Sequence, residues 1–115
     1  MRTEPDCIFC KIAGGAIPAK KVFEDAQCLA FHDISPAAPK HVLLIPREHI
    51  ARLDAAEESD AALLGHLLLV AGRIAKELKM ADFRLVANAG ASAGQSVFHL
   101  HFHILGDRTF AWPPG

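Results

Sequence analysis

The chain has 115 residues, about half of them hydrophobic, enough for one domain with its own core. Twelve Lys and Arg stand against 13 Asp and Glu, for a formal net charge of -1, which excludes a duplex-DNA binder working through bulk positive charge. The apolar run Ala61 to Gly72 is too short to span a membrane, and the polar start Met1-Arg2-Thr3-Glu4-Pro5-Asp6 lacks a secretory apolar stretch, so a cytoplasmic location is expected.

Cys7 to Ala13 predicts a short helical turn, ended by Gly14-Gly15. Lys21 to Glu24 reads as a short strand, and Asp25-Ala26 turns it into a second, Gln27 to His32. Asp33 to Pro39 is a loop, because its two prolines block regular pairing. Val42 to Ile45 is a continuous apolar run closed by Pro46. Asp54-Ala55-Ala56-Glu57 resembles a capping box. The long helix after it runs to about Lys79, with Leu64, Leu67, Leu68, Ala71, Ile74, Ala75 and Leu78 on its apolar face, and leaves His66 solvated. Phe83 to Ala87 and Phe98 to Leu105 complete five strands. Short connections favour antiparallel pairing. The expected fold is therefore α+β: a five-stranded antiparallel sheet with one long helix and a short N-terminal helix. One sheet face lies under the long helix and the other is left for a site or a partner.

The most informative stretch is His99-Leu100-His101-Phe102-His103-Ile104-Leu105. Period-two alternation sends successive side chains to opposite faces, so three histidines form a row opposite Leu100, Phe102 and Ile104. Imidazole transfers protons near neutral pH, attacks electrophiles and binds metals. The row therefore suits either a catalytic metal or a nucleophile with proton-handling neighbours. The preceding loop, Asn88 to Ser96, carries Gly90, Gly94, Gln95 and Ser96. Glycines let main-chain amides approach an anion, and Ser96 adds a hydroxyl donor, so the loop suits a phosphate. His41 opens the apolar run and reaches the row if the two strands are neighbours. Cys7 and Cys10 have the spacing of half a zinc site, which His49 is able to help close. Cys28 reads as a small buried hydrophobe.

Together these residues resemble the histidine triad (HIT) family, whose signature is complete at His99 to Leu105. The segments Ile17-Pro18-Ala19-Lys20, Phe23-Glu24-Asp25, Leu29 to Pro36, Leu44-Ile45-Pro46, Gly94-Gln95-Ser96-Val97 and Trp112-Pro113-Pro114-Gly115 look like the HINT branch of nucleotide-binding phosphoramidases. The resemblance implies a single HIT domain over 1–115 that hydrolyses purine nucleoside phosphoramidates. By that resemblance His101 is the nucleophile, His103 and Ser96 contact the phosphate, and His41 orients His101. Phe9, Phe31, His32, Asp33, Ile34, Asn88, Gly94, Gln95 and Val97 complete the nucleotide site. Animal members lack the Cys-x-x-Cys; zinc-carrying bacterial relatives have it and match Cys7, Cys10, His49 and His99 as four ligands of a structural zinc. No catalytic metal is implied. The family pattern also implies a homodimer formed through the long helix and neighbouring strand, with no nucleic-acid or membrane partner. The alternatives are a dinucleoside polyphosphate hydrolase of the same family and a nucleotide-binding scaffold with little catalysis. His103 stands where the nucleotidyltransferase branch has Gln.

Overall fold

A computed structural model describes residues 1–115. The elements run α1 (Ile8–Ala13), β1 (Lys21–Glu24), β2 (Cys28–His32), β3 (Lys40–Pro46), α2 (Ala61–Glu77), β4 (Phe83–Val86) and β5 (Phe102–Gly106). The strands form one sheet in the order β1-β2-β3-β5-β4, with every neighbouring pair antiparallel. The α+β architecture expected from the sequence is the one observed.

Alternation divides the sheet into two faces. Val42, Leu44, Phe102 and Ile104 point to one side and join Leu67, Val70, Ala71, Ile74 and Ala75 of α2 in the main core. Leu43 and Ile45 point to the other, where they meet Phe9 and Ile12 of α1. Burying the larger helix residues stabilises the fold by about 1.5–3 kcal/mol each. Cys28 is fully buried in the main core, as its apolar context predicts. Gly106 ends β5 against Met80, where a Cβ would lie 2.7 Å from Met80 Cγ.

Three local expectations are corrected. The capping box is Glu57 with Asp60, not Asp54 with Glu57. Asp54 instead binds Arg52 at 2.6 Å within a short 3₁₀ turn, so α2 begins only at Ala61. Asp60 is further held by Arg2, whose Nη2 donates to it at 2.6 Å. On α2, Val70 faces the core, whereas Leu68 is half exposed. His66 is not simply solvated: its Nε2 lies 2.6 Å from Asp25 Oδ2, tying α2 to the β1–β2 turn.

The last strand starts at Phe102, four residues later than its alternation suggests. β3 pairs with it as far as Leu44↔Phe102. Beyond that point Pro46 has no N–H to offer, and its carbonyl is taken by the His99 side chain at 2.8 Å. Phe98 to His101 therefore lies outside the ladder, with Phe98 exposed and His99, Leu100 and His101 all buried. No helix is long and apolar enough to cross a membrane.

Candidate active site and metal centre

The histidine row lies on the sheet face opposite α2. His99 and His101 are buried, and His103 is half-buried. Each imidazole is oriented by a different partner, and those partners settle which nitrogen carries a proton.

His101 Nδ1 faces its neighbour's main-chain carbonyl, His99 O, at 2.7 Å. A carbonyl only accepts, so Nδ1 carries a hydrogen, and in the neutral ring the lone pair is on Nε2. A nucleophilic imidazole needs that lone pair. The Phe9 ring meets His101 edge-on with centroids 5.1 Å apart.

His41 accepts the Ala37 amide on Nδ1 at 2.9 Å. Its proton therefore sits on Nε2, which points at His103 Nδ1 over 2.9 Å. His103 Nδ1 then accepts, leaving its Nε2–H free to donate elsewhere. Asp33 Oδ2 lies 3.4 Å from the same His41 nitrogen. Burial lowers the His41 pKa against the opposing pull of Asp33. Burial, with the neighbouring His101 and His41, pushes His103 down to about 4. Both rings are thus neutral near pH 7, as the hydrogen-bond chain requires. This corrects the expected role of His41: it contacts His103, whereas His101 takes its orientation from the His99 carbonyl.

Beside the row lies a cavity of about 960 Å³, walled by residues including Phe9, Ile12, Phe31, His32, Asp33 and Ile34. Five expected pocket residues (Phe9, Phe31, His32, Asp33 and Ile34) thus meet in one concavity. Leu43 also lines it and pairs with His103 in the β3–β5 register. Lys20, Ile8 and Ile17 are lining residues that the sequence reading did not single out, although Ile17 and Lys20 belong to a segment quoted for the resemblance.

Asn88, Gly94, Gln95, Ser96 and Val97 lie outside the walls of this cavity. The Gly94 α-carbon faces Asn88: a Cβ there would sit 3.4 Å from its side-chain nitrogen. Ser96 is exposed, and Val97 packs against the α1 side of the sheet. Gln95 turns its side chain into the loop. Its Oε1 accepts the Gly90 amide at 2.8 Å, and its Nε2 donates to Ala51 and Val97 carbonyls at 2.8 and 3.0 Å. It is buried, and its amide holds the loop closed from inside. Gly90 and Gly94 both adopt positive φ, 97° and 104°, which the tight loop requires.

The third histidine serves a different centre. His99 Nε2 donates to the Pro46 carbonyl, so its Nδ1 lone pair points the other way. That nitrogen lies 3.4 Å from Cys7 Sγ, 3.5 Å from Cys10 Sγ and 3.2 Å from His49 Nδ1. Cys10 Sγ is also 3.4 Å from His49 Nδ1. In a tetrahedral zinc site, bonds of about 2.0–2.3 Å separate neighbouring ligand atoms by about 3.3–3.8 Å. The donor set and spacings fit that geometry, so these four residues are able to hold an ion such as zinc. Burial pushes His99 down to about 4, keeping it neutral as a ligand must be. The main-chain oxygen of Pro46 is the outer partner that fixes its ring.

Residues 14–110 match the HIT domain. The chain belongs to the HIT family. An uncharacterized HIT-like protein of Synechocystis is 59% identical over 111 residues, covering 96% of this chain and 97% of that one. Among solved structures, a HIT family hydrolase from Legionella pneumophila is 47% identical, with a TM-score of 0.92 over 96% of this chain and all of the other. A histidine triad protein from Clostridium difficile is 41% identical, with a TM-score of 0.91 over 95% of this chain and 96% of that one. In this HIT protein, Cys7 and Cys10 fall before the matched span. The Cys/His cluster thus joins an N-terminal segment to the HIT domain proper.

Proposed function

We propose that this HIT protein is a hydrolase of the HINT branch acting on purine nucleoside phosphoramidates, with AMP and GMP derivatives as its ligands. The observation that carries the reading is the His101 tautomer. Its Nδ1–H is engaged by the His99 carbonyl, so the neutral ring carries its lone pair on Nε2, beside a ring, Phe9, that also lines the cavity.

Attack of His101 Nε2 on the α-phosphorus forms a P–N bond to the imidazole. The P–N bond to the amine breaks, and the amine leaves with a proton taken from solvent, which the attacking water of the second step gives back. Water then attacks the same phosphorus, releasing the nucleoside monophosphate and returning His101. Two easier displacements, the first by a good nucleophile and the second by water on a phosphorus that now carries a good leaving group, replace one difficult attack by water. His103 Nε2–H donates to the phosphate oxygens, with Ser96 and loop amides assisting, where negative charge needs fixed donors. Asp33 suits the ribose hydroxyls, and the apolar walls around Phe9, Phe31 and Ile34 suit a base. The metal at Cys7, Cys10, His49 and His99 is structural zinc, which supplies rigidity when bound.

The functional unit is a homodimer, one HIT domain over 1–115 in each protomer. Support comes from the outer side of α2 and the adjoining edge strand β4, where Leu68, Leu69 and Phe83 are 52%, 71% and 44% exposed. Apolar exposure beside an open sheet edge favours association.

Rapid-quench incubation with an adenosine phosphoramidate, read by intact mass, tests the reading. A transient nucleotidyl adduct lost in His101→Ala is the expected result. Full turnover by His101→Ala would overturn it. Preferred turnover of a diadenosine polyphosphate would instead assign the other hydrolase branch, and tight nucleotide binding without turnover would assign a scaffold.

A further inference from the structure

The segment bearing the nucleophile is not held by strand pairing, its one link to β3 being the His99 side chain on the Pro46 carbonyl. β5 begins at Phe102, so both His99 and His101 precede the ladder. The main-chain tie of Phe98 to His101 to the rest of the fold is the Leu100 amide, which donates to Ile50 O at 2.6 Å. Yet the useful tautomer of His101 depends on where the His99 carbonyl points. Something other than strand pairing has to fix it.

Two routes lead from the metal cluster to that ring. His99 contributes its side chain to the cluster and its carbonyl to His101 Nδ1. Phe9 sits between Cys7 and Cys10 on α1, and its ring packs edge-on against both His101 at 5.1 Å and His99 at 6.0 Å. The Cys7 sulfur also caps α1 by accepting the Cys10 amide at 3.3 Å. The side chains that would grip the ion therefore control both contacts that orient the nucleophile.

We infer that the Cys7–Cys10–His49–His99 cluster, when it holds zinc, sets the tautomer and aim of His101 through the His99 carbonyl and the Phe9 ring. This deepens, and rests on, the assignment of His101 as nucleophile. His99 and Phe9 are positioning residues in this scheme. The ion stays remote from the phosphate, yet its occupancy governs the chemical step. A purely structural zinc would change stability and leave the His101 tautomer alone.

Long-range ¹⁵N–¹H spectra of the histidine rings, recorded at one neutral pH on the zinc-loaded and zinc-stripped protein, test the inference without substrate. Loaded protein should show His101 as a single Nδ1–H tautomer. Stripped protein that stays folded should show a mixture, with His41 and His103 unchanged. Because a small misplacement of a reacting group costs orders of magnitude, kcat should fall about tenfold or more with KM changed less than about twofold. In the zinc-loaded state, Phe9→Ala should shift the tautomer the same way at full zinc content, and Phe9→Leu should restore most of it.

An unchanged His101 spectrum in stripped, folded protein would overturn the inference, as would failure of the protein to bind zinc. If stripping unfolds the chain, zinc-loaded Phe9→Ala decides, and an unaltered His101 tautomer there rejects the coupling. Absence of phosphoramidate turnover in every form would sink the proposed activity alone, because the spectra require none.

Discussion

His41 and His103 are joined by an imidazole–imidazole hydrogen bond of 2.9 Å across the β3–β5 pair. The register places them diagonally: His103 faces Leu43, and His41 faces Leu105. Same-face diagonal neighbours are within reach of long side chains. The chain of donors runs from the Ala37 amide through both rings to the free N–H of His103.

That relay predicts coupled losses. His41→Ala frees His103 to rotate or change tautomer, so kcat for the phosphoramidate falls by about 100-fold, the low end of the range for proton-handling groups. KM changes little. His103→Ala costs at least as much, and the double variant is scarcely worse than His103→Ala. Steady-state kinetics on all three check this, and strict additivity would reject the relay.

The low pKa of His103 has a stability consequence. Its folded value is about 4 and its ordinary value 6.5. Between those values the unfolded chain binds a proton that the folded chain refuses, so stability rises with pH across this window. The contribution is complete above about pH 6.5 and is lost as pH falls through about 4. Urea unfolding from pH 4 to 8 should show a rise that flattens near neutrality. His103→Gln should flatten the acid limb. An identical slope in that variant would reject the assignment.

Metal removal should loosen the N-terminal segment first. Cys7, Cys10 and His49 bring α1 and the stretch after β3 onto His99. Structural zinc sites contribute several kcal/mol, so chelation should lower Tm by about 10 °C or more. Cys7→Ser or His49→Ala should abolish stoichiometric zinc, whereas Cys28→Ala should retain it, because Cys28 lies in the main core. Zinc analysis with calorimetry reads both outcomes.

The end of β5 admits no side chain. A Cβ on Gly106 would meet Met80 Cγ and Sδ at 2.7 Å. Gly106→Ala should destabilise the fold by about 1–3 kcal/mol, as overpacking does. Met80→Ala removes the obstacle, so the two losses should be less than additive in denaturant titrations. A sum of the single effects would show that the strand shifts instead.

Leu69 is 71% exposed on the outer face of α2, beside edge strand β4. Leu69→Asp should convert a dimer to a monomer in sedimentation or light scattering without unfolding it. An unchanged mass for a dimeric parent would place the interface elsewhere.

Local pattern was enough to specify much of this protein. Two-residue alternation separates His99, His101 and His103 from Leu100, Phe102 and Ile104, and that division holds even where the ladder is absent. The apolar stripe of α2 and the turns around Pro36, Pro39 and Gly14 are equally local properties. Capping was legible only in kind. Asp54 and Asp60 both suit the task, and a distant residue, Arg2, binds the one that performs it.

Residue identity likewise marked Cys7, Cys10 and His49 as candidate metal donors and left the histidine row open between a metal and a nucleophile, while the family resemblance added His99 as the expected fourth donor and His101 as the expected nucleophile. Tertiary structure decided the partners. The Ala37 amide, the Pro46 carbonyl and the His99 carbonyl have no signature in side-chain identity, since every residue offers a carbonyl and all but proline an amide. Which of these faces an imidazole depends on strands that are distant in sequence. Those main-chain groups, fixed only when β3, β5 and the N-terminal segment pack together, determine which nitrogen of each histidine holds the proton and which holds the lone pair.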